Sequence, residues 1–92
     1  MKIDSDPPKK AKTLEDRGID FEDARFVFEG KTITRQDTRR DYGEPRMITA
    51  GFLRGRMVIV GWTPRDGKRR VFSMRKANDR EQKYYREQFG ED

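Results

Sequence analysis

Six residues in the middle of the chain, Met57-Val58-Ile59-Val60-Gly61-Trp62, constrain the fold more than any other stretch. A strand points successive side chains to opposite faces, so an apolar run without polar alternation belongs to a central strand covered on both sides. Turn chemistry brackets the run. Arg54-Gly55 reads as a tight turn before it, and Pro64-Arg65-Asp66-Gly67 carries the Pro and Asp-Gly of a hairpin after it. Arg46–Leu53 and Arg69–Arg75 then become its neighbours in a meander. Lys31-Thr32-Ile33-Thr34-Arg35, polar and β-branched, suits a fourth strand at an edge.

Helices are expected on either side of these strands. Asp6 as N-cap and Pro7 at the first helical position start one that runs to about Arg17 and stops at Gly18. Asp20 caps a second, Phe21 to Phe28, whose Phe21, Ala24 and Phe28 share an apolar face. Asn78 precedes Glu81 by three, a capping-box pattern, and Ala77, Tyr84, Tyr85 and Phe89 continue at helical spacing to Gly90. Ninety-two residues hold one core. The expectation is a single α+β domain over residues 1–92, in the order α-α-β-β-β-β-α, with a mainly antiparallel four-stranded sheet.

Composition then narrows the chemistry. The chain has no Cys and no His, so thiol nucleophiles, thiolate zinc sites and imidazole bases are excluded. Catalysis would rest on Arg, Lys, Tyr, carboxylates or backbone, with no cofactor and no metal expected. No apolar run approaches the ~20 residues that span a bilayer, and the N-terminus lacks a signal-peptide core, so a soluble, cytoplasmic protein without a membrane partner is expected. The 22 Lys+Arg against 17 Asp+Glu give a net +5, unevenly placed. Residues 1–37 hold 8 basic and 9 acidic side chains, whereas Arg65–Arg86 holds 9 and 3. That excess points to a polyanionic partner, nucleic acid above all, or to a solvated basic face.

On the last strand, the period of two puts Arg69, Val71, Ser73 and Arg75 on one face and Arg70, Phe72 and Met74 on the core face. Arg75 and Lys76 then lie beside the start of the final helix, where they form a candidate phosphate site. The alternative is that Arg75 pairs with Glu44 or Glu81. Of Tyr84 and Tyr85, one should bury its ring and the other offer a hydroxyl or a stacking surface. Arg39, Arg40, Tyr42 and Arg46, interleaved with Asp41 and Glu44, form a second basic-aromatic cluster that reads either as an ion-pair network or as an RNA contact. Lys9, Lys10 and Lys12 read as a solvated face that could widen a basic groove. RNA carries its own nucleophile, the ribose 2′-OH, so a surface of Arg, Lys and Tyr is chemically sufficient to cleave it.

Four blocks together resemble the BrnT family of toxin–antitoxin toxins: Asp6-Pro-Pro-Lys9, Gly18-Ile-Asp-Phe21-Glu22-Asp-Ala24, Asp41-Tyr42-Gly43-Glu44-Pro-Arg46, and Ser73-Met-Arg75-Lys76-Ala77-Asn78-Asp-Arg80-Glu81. The resemblance runs from about residue 6 to 85. It implies a compact RelE-like ribonuclease fold, cleavage of RNA, and neutralisation by a BrnA-type antitoxin with a ribbon–helix–helix region, so that DNA is met only through the antitoxin. Two positions depart from the family's pattern: Ser5 stands where Trp is usual, and Arg17 where His is usual. Arg17 carries charge but cannot act as a base near neutral pH. On this reading Arg75 and Lys76 stabilise the phosphate and the transition state, and Tyr84 or Tyr85 stacks or transfers a proton. Arg69 and Arg80 position RNA, with Arg40 and Arg46 as further contacts. The competing reading is a non-cleaving module that binds RNA or an antitoxin. A structural protein whose charge only aids solubility is the third.

Overall fold

Two-residue turns set the architecture. Arg54 and Gly55 (φ 51° and 78°) and Asp66 and Gly67 (φ 53° and 74°) all adopt positive φ, the signature of hairpin turns whose twist matches the flanking strands. The structure, a computed structural model, describes residues 2–5 and 19–90. Strands β1 (Lys2–Ser5), β2 (Ile33–Gln36), β3 (Met47–Leu53), β4 (Arg56–Arg65) and β5 (Lys68–Lys76) form one sheet in the order β1-β5-β4-β3-β2. The turns join β3 to β4 (Leu53 opposite Arg56) and β4 to β5 (Arg65 opposite Lys68). Helix α1 (Ala24–Glu29) follows a 3-10 turn at Phe21–Asp23, and helix α2 (Asp79–Phe89) closes the fold. Among the described residues no helix is long and apolar enough to cross a membrane.

The apolar run explains how so charged a chain builds a core: β4 serves two. Val58, Val60 and Trp62 meet Ile19, Phe21, Ala24 and Val27 of the α1 layer, together with Val71 and Met74. Met57 and Ile59 point the other way and meet Ala50, Ala77 and Tyr85 beneath α2, with Phe52 against Phe89 at 5.1 Å between ring centroids. Trp62 anchors the first core. Its indole N–H donates to Thr49 Oγ1 at 2.8 Å, Phe28 stands edge-on at 5.8 Å, and the residue is 7% exposed.

The expected four-stranded antiparallel sheet is corrected to five strands of mixed direction. β1 runs parallel to β5, with Lys2 opposite Lys68 and Ser5 opposite Val71. Ile3 is its one apolar side chain, packed against the first core, and Asp4 accepts from Arg70 at 2.9 Å. Four residues carry no period, so only these tertiary contacts define the strand. Among the described residues the order is therefore β-α-β-β-β-β-α. The expected helix from Pro7 to about Arg17, with its lysines and Arg17, lies outside the described residues.

A bulge corrects the expected faces of β5. Gly61 opposes Ser73 but Trp62 opposes Val71, leaving Phe72 as the extra residue. The alternation resets there. Val71 and Met74 both enter the first core, and Arg69 stays on that side, its guanidinium 4.1 Å from the Phe28 ring centroid and 5.1 Å from that of Trp62. Ser73 and Arg75 face the α2 side, so Arg69 and Arg75 are separated by the sheet.

Candidate nucleic-acid interface

α2 covers only part of its sheet face. Asn78 accepts from the backbone N–H of Glu81 at 2.8 Å while Glu81 accepts from that of Asn78 at 3.0 Å, the expected capping box. From this start the helix lies over Ile33, Ala50, Ile59 and Met57. Beyond its edge the register brings polar and basic residues together on the same face. Arg35, Ile48, Gly61 and Ser73 stand abreast on β2, β3, β4 and β5. Thr63 and Arg70 form the next row with Asp4 of β1, and Arg46 precedes Met47 on that side.

At the wall beneath α2, Arg75 donates both terminal nitrogens to the Glu81 carboxylate at 2.6 and 2.7 Å. Of the two fates expected for Arg75, pairing with Glu81 is therefore present in the structure, and the pair stands at the edge of the open face. The hydrogen bonds from Arg75 hold the Glu81 carboxyl below its usual pKa, against its partial burial. Beside them Arg35 Nε donates to the Tyr85 hydroxyl at 3.3 Å. Tyr85 is buried, whereas Tyr84 is 57% exposed and packs edge-on against it at 4.9 Å, as expected of one buried ring and one outward ring.

The loop from β2 to β3 builds the opposite wall. Asp37 is buried and accepts from Arg39 at 2.9 and 2.8 Å and from the Tyr42 hydroxyl at 3.0 Å. Those bonds, Arg39's first, hold its carboxyl well below the usual carboxylate range. Arg46 lies between two rings, 4.3 Å from the centroid of Tyr42 and 4.7 Å from that of Phe72, with Arg40 at 6.0 Å on Tyr42. The cluster is thus partly an ion-pair network, as one of its two readings held. Its acid is Asp37, since Asp41 accepts from Gly43 N–H and Glu44 pairs with Arg65 at 3.4 Å.

The candidates fall into two groups. Arg75, Tyr84, Tyr85, Arg46 and Arg40 gather on or around the α2-side face. Lys76, exposed at the end of β5, lines one cleft with Ile19, Asp23 and Val58 on the α1 side and another with Met57, Gln82 and Arg86 on the α2 side; Arg69 lies on the α1 side, and Arg80 is exposed in the first turn of α2. Arg35, Arg70 and Phe72 were not singled out from sequence. The basic, β-branched edge strand hints at Arg35; Arg70 and Phe72 depend on the bulge.

A family model described as the ribonuclease toxin BrnT of type II toxin–antitoxin systems matches residues 6–81. The chain belongs to the BrnT family. BrnT proteins are ribonuclease toxins, and the match takes in Arg35, Arg46, Arg70, Arg75 and Glu81 but ends before Tyr84 and Tyr85. A comparison with curated proteins finds no match at the threshold applied.

Both acids with lowered pKa make stability depend on pH in one direction. A carboxyl whose folded pKa is depressed adds stability that is complete above its unfolded pKa and is lost as pH falls through the folded one. The urea midpoint is therefore expected to hold from neutral pH to about 5 and to fall below about 4, the ordinary carboxylate range. Glu81→Gln should flatten part of that fall.

Proposed function

We propose that this chain is the endoribonuclease of a type II toxin–antitoxin pair, cutting RNA through its own 2′-OH without metal or cofactor. The observation that carries the reading is the gathering of Arg35, Arg46, Arg70 and Arg75 on one open sheet face between α2 and the β2–β3 loop. In the reaction the 2′-oxygen attacks the adjacent phosphorus and loses its proton. The bond from phosphorus to the 5′-oxygen breaks, and a proton reaches that leaving oxygen. The products are a 2′,3′-cyclic phosphate and a 5′-hydroxyl. Phosphorus passes through a pentacoordinate state with added negative charge, which fixed guanidinium groups stabilise because they need no reorganisation. Arg75 is assigned that role, exchanging its bond to Glu81 for one to phosphate, and exposed Tyr84 is assigned stacking or proton transfer. Arg35, Arg70, Arg46 and Arg40 hold the backbone and bases on the face, and Arg80 extends it along α2. Lys76 and Arg69 are assigned to RNA that passes beyond the sheet edge.

Inhibition follows the same charge: an acidic segment of a BrnA-type ribbon–helix–helix antitoxin would cover this face, and DNA would be met only through that partner. A second reading, RNA or antitoxin binding without cleavage, draws on one observation. Arg70 and Arg75 are each paired with a carboxylate in the free protein. Incubating RNA with the purified protein in EDTA decides between them. Cleavage should leave 2′,3′-cyclic phosphate ends and should stop when the attacking 2′-OH is replaced by hydrogen. Salt-sensitive binding with intact RNA would overturn the enzymatic reading.

A further inference from the structure

We propose that Arg46 selects guanine in the bound RNA, presenting the edge of a guanidinium clamped between Tyr42 and Phe72. The inference rests on the reading of this face as RNA-binding. Arg46 is half-buried, its Nε is buried without a hydrogen-bond partner, and no carboxylate pairs with it among the described residues. Each ring is in turn fixed from elsewhere. The Tyr42 hydroxyl is tied to buried Asp37, and the Phe72 ring, carried by the bulge, lies over Gly61, where a Cβ would come within 2.8 Å of it. Any side chain at position 61 would push that ring away.

A guanidinium flanked by two rings, with Nε buried, offers a ligand its four terminal N–H donors, two of which, one on each terminal nitrogen, point side by side in its plane. They match two adjacent acceptors in a plane. Guanine supplies these as N7 and O6, whereas adenine pairs the N7 acceptor with a donor. Phosphate oxygens would also fit the fork. However, a tetrahedral phosphate gains nothing from the flanking rings, while a planar base continues the guanidinium plane within reach of both. The single-stranded state that the cleavage reaction requires also exposes that edge of the base.

The test is fluorescence anisotropy in EDTA with five-nucleotide RNAs that carry a central guanine, adenine, cytosine, uracil or 7-deazaguanine among uridines, each with 2′-deoxy linkages at the centre to prevent cutting. The unaltered chain should bind the guanine oligomer about 5- to 150-fold more tightly than the others, the range of one good bidentate base contact. The 7-deaza oligomer, lacking N7, should lose most of that gain. Arg46→Ala and Arg46→Lys should bind all five alike, since an ammonium has no planar fork. Tyr42→Leu, which keeps the charge and removes one ring, should lose selectivity more than affinity and guards against a misfolded Arg46 variant. Equal binding of all bases by the unaltered chain, or selectivity that survives in Arg46→Ala, overturns the assignment and leaves the RNA reading standing. Failure to bind any of the oligomers overturns both.

Discussion

Replacing Arg75 with alanine is expected to slow RNA cleavage about 100-fold or more, the usual cost of removing one preorganised charge donor from a transition state. The side chain is held in a bidentate pair with Glu81 at the edge of the open face, on a residue that stands opposite Ile59 in the ladder. Truncation also leaves the Glu81 carboxylate without its strongest partner. Stability should therefore drop, but only by about 1–2 kcal/mol, because the pair is partly open to water. Glu81→Gln separates the two roles. Glutamine still completes the capping box with Asn78, yet it releases the charge on Arg75. RNA affinity should rise in Glu81→Gln and fall in Arg75→Ala, although both lose the same salt bridge. Measured as single-turnover rates and RNA affinities alongside urea midpoints, cleavage by Arg75→Ala within about threefold of the unaltered chain would sink the assignment.

The largest loss of stability is expected from Trp62→Ala, about 3–5 kcal/mol. Trp62 joins β4 to the α1 layer: it fills space against Phe28 and carries the stacked guanidinium of Arg69. It also satisfies Thr49, which is fully buried and shares a 2.8 Å hydrogen bond with Thr34. Alanine removes the largest side chain of that core and leaves the Thr49 hydroxyl with one partner fewer. A domain of this size has only about 5–15 kcal/mol to lose, so the variant should be partly unfolded at 37 °C. Chemical unfolding followed by circular dichroism measures the loss. A shift below about 1 kcal/mol would mean that Trp62 does not anchor this core.

Local signals in the sequence were reliable wherever the physics is local. The run Met57–Trp62 marks β4 as the doubly covered strand because both core faces had to be supplied from one segment. Arg54-Gly55 and Asp66-Gly67 mark the hairpins, since positive φ at successive residues demands such pairs. Asn78 and Glu81 mark the start of α2, and the same Glu81 was one of two carboxylates expected for Arg75. What escaped is what the rest of the chain decides. β1 has one apolar residue and exists through Ile3 and Asp4 meeting β5. The bulge at Phe72 inverts the face of Arg69 relative to Arg75, and no alternation rule shows where a ladder will slip by one residue. Arg35, Arg70 and Phe72 become site candidates only after register brings the distant strands β2 and β5 into one sheet. The net charge of Arg65–Arg86 draws attention to β5 and α2, but the fold divides those cations between two faces.

RNA bound across the open sheet face between α2 and the β2–β3 loop would lie against the aromatic rings that border it. Photo-crosslinking tests this placement most directly, using a 4-thiouridine RNA made uncleavable by 2′-deoxy substitution and mapping the adducts by mass spectrometry. Adducts are expected on Tyr42, Phe72 and Tyr84 and should be suppressed by unlabelled RNA. Adducts confined to Phe26 and Phe28 on the α1 side, with none on those three residues, would contradict that placement.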